Sequence, residues 1–217
     1  LTILMRKTNK VLMLCNNIHK FDIYKRCIFL YNEGWQFRNE DLYLEKYKGD
    51  LILLFAPKKT VIEKCQSVIL AIREKKIIVG VHIRRRDYDT FYNGAYLFDN
   101  IVYKQFMEKI VAELSNELKK EICFLICSDE EVNFNDFLPL NCIHFSDGNI
   151  MDDLYGLSLC DYIIGPPSTF SMWASFYGDV PLFIIKSPNE PFKQNKFKVI
   201  NAVDVFKDGS IFEHVIC

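Results

Sequence analysis

Nothing in the 217-residue chain is apolar for long enough to span a bilayer, which takes about 20 residues, so no transmembrane helix is expected. There is no basic excess either. The 27 Lys and Arg stand against 28 Asp and Glu, a balance that argues against a dedicated nucleic-acid binder. No C-x-x-C pair occurs among the eight cysteines (Cys15, Cys27, Cys65, Cys123, Cys127, Cys142, Cys160 and Cys217). Most of them lie in apolar runs such as Ile122-Cys-Phe-Leu-Ile-Cys127, where a reduced Cys behaves as a small hydrophobe. Zinc and disulfide frameworks are thereby disfavoured, and a reducing, cytoplasmic compartment is expected. Internal repeats, low-complexity linkers and an assembled signal peptide are missing, and the chain opens on Leu1, as a processed or shortened chain would. Disorder is excluded by an apolar fraction of 50% against 25% charged residues.

From about residue 60 onward, helical and strand patterns alternate. Thr60 is placed to cap a helix in which Val61, Ile62, Cys65, Val68, Ile69 and Ile72 recur at helical spacing. Residues 77–83 then read as a buried strand. Residues 100–120 follow as a helix with Ile101, Phe106, Ile110, Val111 and Leu114 on one face, and 122–127 as a second strand. A short helix over 152–160, a strand over 162–164, a helix from Ser168 or Thr169 to about Tyr177 and a strand over 180–185 complete the series. Such alternation means βαβ units and a mostly parallel sheet, an α/β domain over 60–217. Residues 1–59 mix aromatic and charged residues with short apolar runs and read as part of a neighbouring subdomain.

Three segments carry chemistry. In Gly80-Val-His-Ile-Arg-Arg-Arg-Asp-Tyr88 a strand ends and delivers His82, Arg84, Arg85, Arg86 and Asp87 to the sheet edge where α/β proteins bind ligands. Guanidinium forks bind phosphate oxygens bidentately, so the run suits an anion; a solvated basic turn pairing with Asp87 and Asp89 is the plainer alternative. In Gly165-Pro-Pro-Ser-Thr-Phe-Ser171, the turn places Ser168 and Thr169 at a helix N-terminus, where hydroxyls and free N–H groups bind phosphate or serve only as caps. Asp152-Asp153 opens the preceding helix. A carboxylate there accepts paired N–H donors such as those on the guanine edge, or merely stabilises the helix dipole.

Taken in order, these segments resemble the fucosyltransferase superfamily. His82-Ile-Arg-Arg-Arg-Asp-Tyr88 is similar to the H-x-R-R-G-D-Y motif of alpha-1,2-fucosyltransferases, whose wider superfamily includes alpha-1,6- and protein O-fucosyltransferases. Ser128-Asp-Glu130, the segment from Asp153 to Asp161 and Ser168-Thr-Phe-Ser171 match later motifs, and Gly34-Trp-Gln-Phe37 resembles an upstream one. The resemblance implies a Rossmann-like, GT-B-type nucleotide-sugar domain over 60–217 with a partial acceptor-side subdomain over 1–59. Arg84 would contact the β-phosphate of GDP-fucose with support from Arg85. His82 and Asp153 would lie near ribose and guanine, and Ser168, Thr169 and Phe170 at the pyrophosphate. Arg86 stands where the family pattern has Gly, and would either crowd the phosphate pocket or reach an acceptor. The family's glycine-rich N-terminal segment is missing from this chain.

The implied reaction is transfer of fucose from GDP-fucose to a glycan hydroxyl with inversion. Departure of GDP builds negative charge on the β-phosphate, which arginines and hydroxyl donors stabilise. Such a site dispenses with a divalent metal, so neither metal nor cofactor is expected; Asp87-Tyr-Asp89 is formally D-x-D, but three arginines precede it. The acceptor hydroxyl needs a general base, for which Asp87 and Asp89 lie closest, although Asp87 could instead orient Arg84. The expected partners are a GDP-sugar donor and an oligosaccharide or polysaccharide acceptor. Nucleic acid is not expected, and membrane association would be peripheral. A nucleotide-sugar-binding fragment without turnover and a plain α/β interaction module are the competing readings.

Overall fold

A computed structural model describes residues 11–15, 29–33, 47–118 and 120–200. Gly34 to Phe37 and residues 201–217 therefore lie outside the described residues. In chain order the elements are β1 (Val11–Cys15), β2 (Phe29–Glu33), α1 (Lys48–Leu54), α2 (Lys59–Arg73), β3 (Lys76–Ile83), α3 (Asn100–Leu118) and β4 (Glu121–Ser128). They continue with β5 (Cys142–Ile143), α4 (Ile150–Ser158), β6 (Tyr162–Gly165), α5 (Thr169–Gly178) and β7 (Leu182–Ile184). Strands β1 and β2 pair in parallel as a separate two-stranded sheet.

The principal sheet has five strands in the order β5-β4-β3-β6-β7, and every neighbouring pair is parallel. Progression runs outward from β3 in one direction through β4 and β5, then restarts on the other side with β6 and β7. The order reverses beside β3, and the carboxyl edge at such a reversal is where these sheets bind ligands.

Both faces of β3 and β4 are covered, which is why these strands are continuously apolar rather than alternating with polar residues. Ile77, Val79, Val81 and Ile83, with Ile122, Phe124 and Ile126, pack on the α3 side against Phe106, Ile110 and Leu114. On the other face Ile78, Leu125 and Cys127 pack with Cys65 and Ile69 of α2, Leu157 of α4 and Met172 of α5. Gly80 sits on this second face, where a Cβ would come within 2.5 Å of Leu157 Cδ2, so the missing side chain lets α4 approach β3. The five cysteines whose side chains are described, Cys65, Cys123, Cys127, Cys142 and Cys160, are free thiols, four buried and Cys142 half-buried, as expected of core residues.

Several boundaries differ from the sequence reading. Lys58, not Thr60, is the N-cap of α2, and Thr60 lies inside the first turn without capping it. Ile101 opens α3 on its solvent side at 63% exposure, because the buried stripe runs through Tyr103, Phe106, Met107 and Ile110. Helix α4 starts at Ile150, earlier than expected, since Asn149 accepts N–H bonds from Met151 and Asp152 and so fixes the start. Strand β5 was not foreseen, because two residues carry no periodicity. Helix α1 was also not foreseen; it buries no residue, but Lys48 pairs with Asp179 at 2.5 Å, and Phe55 beyond its end meets Trp173 of α5 edge-on.

Helices α4 and α5 meet closely at Gly178, where any Cβ would run into the Ser158 backbone carbonyl. Because that obstacle is backbone, Gly178→Ala is expected to destabilise the protein by about 1–3 kcal/mol, the usual cost of overpacking. Urea unfolding measures this directly, and a loss below ~0.5 kcal/mol, ordinary for a surface site, would count against the close approach.

Candidate active site

A cleft of about 420 Å³ opens at the carboxyl edge of the sheet, lined by His82, Arg84 and Arg86 after β3, Cys127 to Asp129 after β4, Gly148, Asn149, Ile150 and Asp153 at the start of α4, and Phe170. Four elements converge there because parallel strands deliver their ends to one edge. Of the sequence-predicted residues, His82, Arg84, Asp153 and Phe170 are brought together. Arg85, Asp87, Asp89, Ser168 and Thr169 do not line the cleft.

His82 is the last inward-facing residue of β3 on the α4/α5 side. It is buried, with its ring centroid 4.9 Å from that of Phe170. Burial, reinforced by the Arg84 charge, pushes its pKa down to about 3, so the imidazole is neutral. Its Nδ1 is buried without a hydrogen-bond partner among the described residues. Gly165 of β6 makes room for it, as a Cβ there would lie 3.0 Å from His82 Cβ and 2.9 Å from its carbonyl oxygen.

The loop after β3 is held by Asp129, a residue the sequence reading quoted only as part of a motif. Its carboxylate, only 12% exposed, accepts the backbone N–H groups of Arg85 at 3.0 Å and Arg86 at 3.3 Å, and pairs with Arg84 Nη1 at 3.2 Å. Arg84 Nη2 also pairs with Asp87 at 2.8 Å. Arg85 turns away from the cleft, where it pairs with Glu130 at 2.6 Å and donates to Asn100 Oδ1. Asp89 faces its own turn and accepts the Thr90 N–H.

A second strut joins this loop to the Gly165-Pro-Pro167 turn. The Tyr88 hydroxyl, buried and with its pKa raised to about 12 chiefly by burial, donates to the Pro167 carbonyl. Ser168 is the N-cap of α5, its hydroxyl accepting from the Phe170 N–H, and Thr169 is exposed beside it. Phe170, one residue further, is the part of that motif that reaches the cleft.

At α4 the two adjacent carboxylates have divided roles. Asp152 is buried, completes a capping box with Asn149 and pairs with Lys64 at 3.0 Å. Capping is therefore the work of Asp152, which leaves Asp153 to face the cleft. Burial pushes the Asp153 carboxyl up to about 6, with the Cys127 thiol beside it pulling the other way. Cleft residues beyond the predicted set, Asp129, Asn149 and Ile150, come from loop ends whose convergence depends on strand order. Among the described residues no cluster of His, Cys, Asp and Glu is arranged to hold a metal ion, and no helix is long and apolar enough to cross a membrane.

A five-stranded all-parallel sheet with flanking helices and a cleft at its carboxyl edge places the chain in the open-sheet class of α/β proteins. Within it, the chain belongs to glycosyl transferase family 11, whose sequence profile matches residues 17–203. Among solved structures it is similar to POFUT1 in complex with GDP, with a TM-score of 0.44 at 15% identity, covering 58% of this chain and 46% of that one. A second POFUT1 structure, in complex with GDP-fucose, gives a TM-score of 0.42 at 14% identity over 56% of this chain and 43% of that one. A variant of Arabidopsis thaliana FUT1 in complex with GDP gives a TM-score of 0.46 at 15% identity, over 80% of this chain and 49% of that one. The chain thus spans less than half the length of each of these three. No curated protein sequence matches it.

Asp129 holds the half-buried main-chain donor of Arg85, the exposed one of Arg86 and the guanidinium of Arg84. Asp129→Ala is expected to lower the unfolding free energy by about 1–3 kcal/mol, the penalty for stranding such groups. Chemical denaturation of the two proteins checks it; equal midpoints would mean that the loop does not need this clamp.

Proposed function

We propose that this chain is the donor-binding part of a GT-B-type fucosyltransferase that moves fucose from GDP-fucose to a glycan hydroxyl with inversion and without a metal. The observation that carries the proposal is the cleft itself, with Asp153 on the α4 wall and Arg84 and Arg86 on the β3 wall. A guanine base presents N1–H and an exocyclic amine, two donors for one carboxylate, whereas adenine presents an acceptor at N1. A diphosphate presents oxygens for guanidinium forks. His82 and Phe170 lie in the same cleft, where a neutral imidazole and an aromatic face suit the ribose between base and phosphates. Fucose as the transferred sugar rests on the motif resemblance.

In this reading GDP departs with its charge on the β-phosphate, and Arg84 stabilises that charge in the transition state. The acceptor hydroxyl attacks from the opposite side of the sugar, which inverts the anomeric centre. Asp87 and Asp89, both exposed on the loop after β3, are the carboxylates proposed to receive the hydroxyl proton. Guanidinium charge takes the place of a divalent cation at the diphosphate. Asp87 holds Arg84 and Asp89 holds the Thr90 N–H through one carboxylate oxygen each, and the second oxygen is the one proposed to take the proton. The free thiols support a reducing, cytoplasmic setting.

The pH behaviour follows from Asp153. Its folded-state pKa, about 6, lies above the ordinary 3.8, so its contribution to stability is full below 3.8 and is lost as the pH rises through about 6. Guanine binding has the opposite slope, because only the ionised carboxylate accepts from two N–H groups. GDP affinity of the wild type should therefore rise through about pH 6. Asp153→Asn should remove that step, weaken GDP and narrow the preference over ADP. The variant should also gain stability relative to wild type as the pH rises. Calorimetric titration with GDP and ADP at several pH values decides it, and an unchanged GDP:ADP ratio would move the guanine contact elsewhere.

Transfer assayed with GDP-fucose should be nearly indifferent to EDTA. Loss of activity restored by manganese would make Asp87 and Asp89 metal ligands and overturn the metal-free mechanism.

A further inference from the structure

The three arginines after β3 differ in what neutralises them. Arg84 is paired with Asp87 at 2.8 Å and Asp129 at 3.2 Å, and Arg85 with Glu130 at 2.6 Å. Arg86 is exposed, it lines the same cleft, and its guanidinium meets no carboxylate or other hydrogen-bond partner among the described residues. Its backbone N–H donates to Asp129 Oδ2, the same oxygen that pairs with Arg84 Nη1, so one carboxylate holds the start and the end of this loop segment.

The charges in the cleft do not cancel at that point. Asp129 is taken up by Arg84 and two N–H groups, and Asp153 belongs to the opposite wall beside Cys127. The uncompensated positive charge in the cleft is therefore on Arg86. An incoming diphosphate must compete with two carboxylates for Arg84 but with none for Arg86.

We infer that Arg86 is a diphosphate-binding residue of this cleft and the first guanidinium to engage the donor. Arg84 joins as it exchanges its carboxylate partners for phosphate oxygens. The inference deepens the proposed function and rests on it. A Gly at this position would keep the backbone N–H on Asp129 and lose the contact, so the contact is particular to chains that carry a cationic side chain here.

The test compares wild type, Arg86→Gly and Arg86→Lys in titrations with GDP, ADP, GMP and inorganic pyrophosphate at one low ionic strength. Thermal melting shows that each variant is folded, which the exposed position favours. Loss of an unshielded charge-assisted contact should weaken GDP roughly tenfold in Arg86→Gly, affect GMP less, and be partly rescued in Arg86→Lys. An unchanged GDP:GMP ratio in Arg86→Gly overturns the inference. Wild type that binds pyrophosphate through Arg86 without preferring GDP to ADP would uphold the residue's role and remove the guanine reading. Wild type that binds neither GDP nor pyrophosphate would remove both.

Discussion

Strand β3 is hydrogen-bonded on both edges and buried on both faces, and the functional side chains are placed by that constraint. Its ladder with β4 runs from Lys76 to Ile83, while its pairing with β6 covers only Val79 to Val81. Beyond these ladders the cleft is lined by the ends of β3 and β4 and by the starts of α4 and α5. His82 and the arginine loop leave β3 there, the Gly165-Pro-Pro167 turn leaves β6 there, and Tyr88 ties the two together. A parallel sheet puts the ends of all its strands on one side, so Ser128 and Asp129 from β4 reach the same place.

Electrostatics in the cleft sets function against stability. Burying carboxylates and guanidiniums together is costly unless they are paired, and most here are: Arg84 with Asp87 and Asp129, Asp152 with Lys64. Asp153 is the exception among the carboxylates and Arg86 among the guanidiniums. Asp153 is held partly out of water, with a raised pKa and no cation paired to it among the described residues. Groups left in that state are poorly placed for folding and well placed for a ligand that brings complementary partners.

The division of labour between Asp152 and Asp153 shows how local structure creates such a site. Adjacent residues on a helix point about 100° apart. Once Asn149 fixes the start of α4, Asp152 falls at the capping-box position and must turn inward to the Asn149 N–H. Asp153 is then rotated toward the cleft. A helix beginning one residue later would exchange the two roles.

The sequence by itself determined the parts. Continuous β-branched runs specified strands buried on both faces, helical spacing specified α2, α3 and α5, and the ordered motifs marked which loops carry chemistry. These signals are local, written in the period of the side chains and in turn residues. Strand order is not local, since it is set by which apolar faces cover one another across the sheet. Only the tertiary structure therefore decided that Asp129 clamps the arginine loop and that Arg85 turns away to Glu130. It also decided that Ser168 is spent on capping while Phe170 reaches the cleft, and that Arg86 alone of the three arginines enters the site without a counter-charge. The identities of neighbouring residues cannot convey the arrangement of the arginine loop, because residues 84 to 86 depend on Asp129 and Glu130, which only the pairing of β3 with β4 brings within hydrogen-bonding distance.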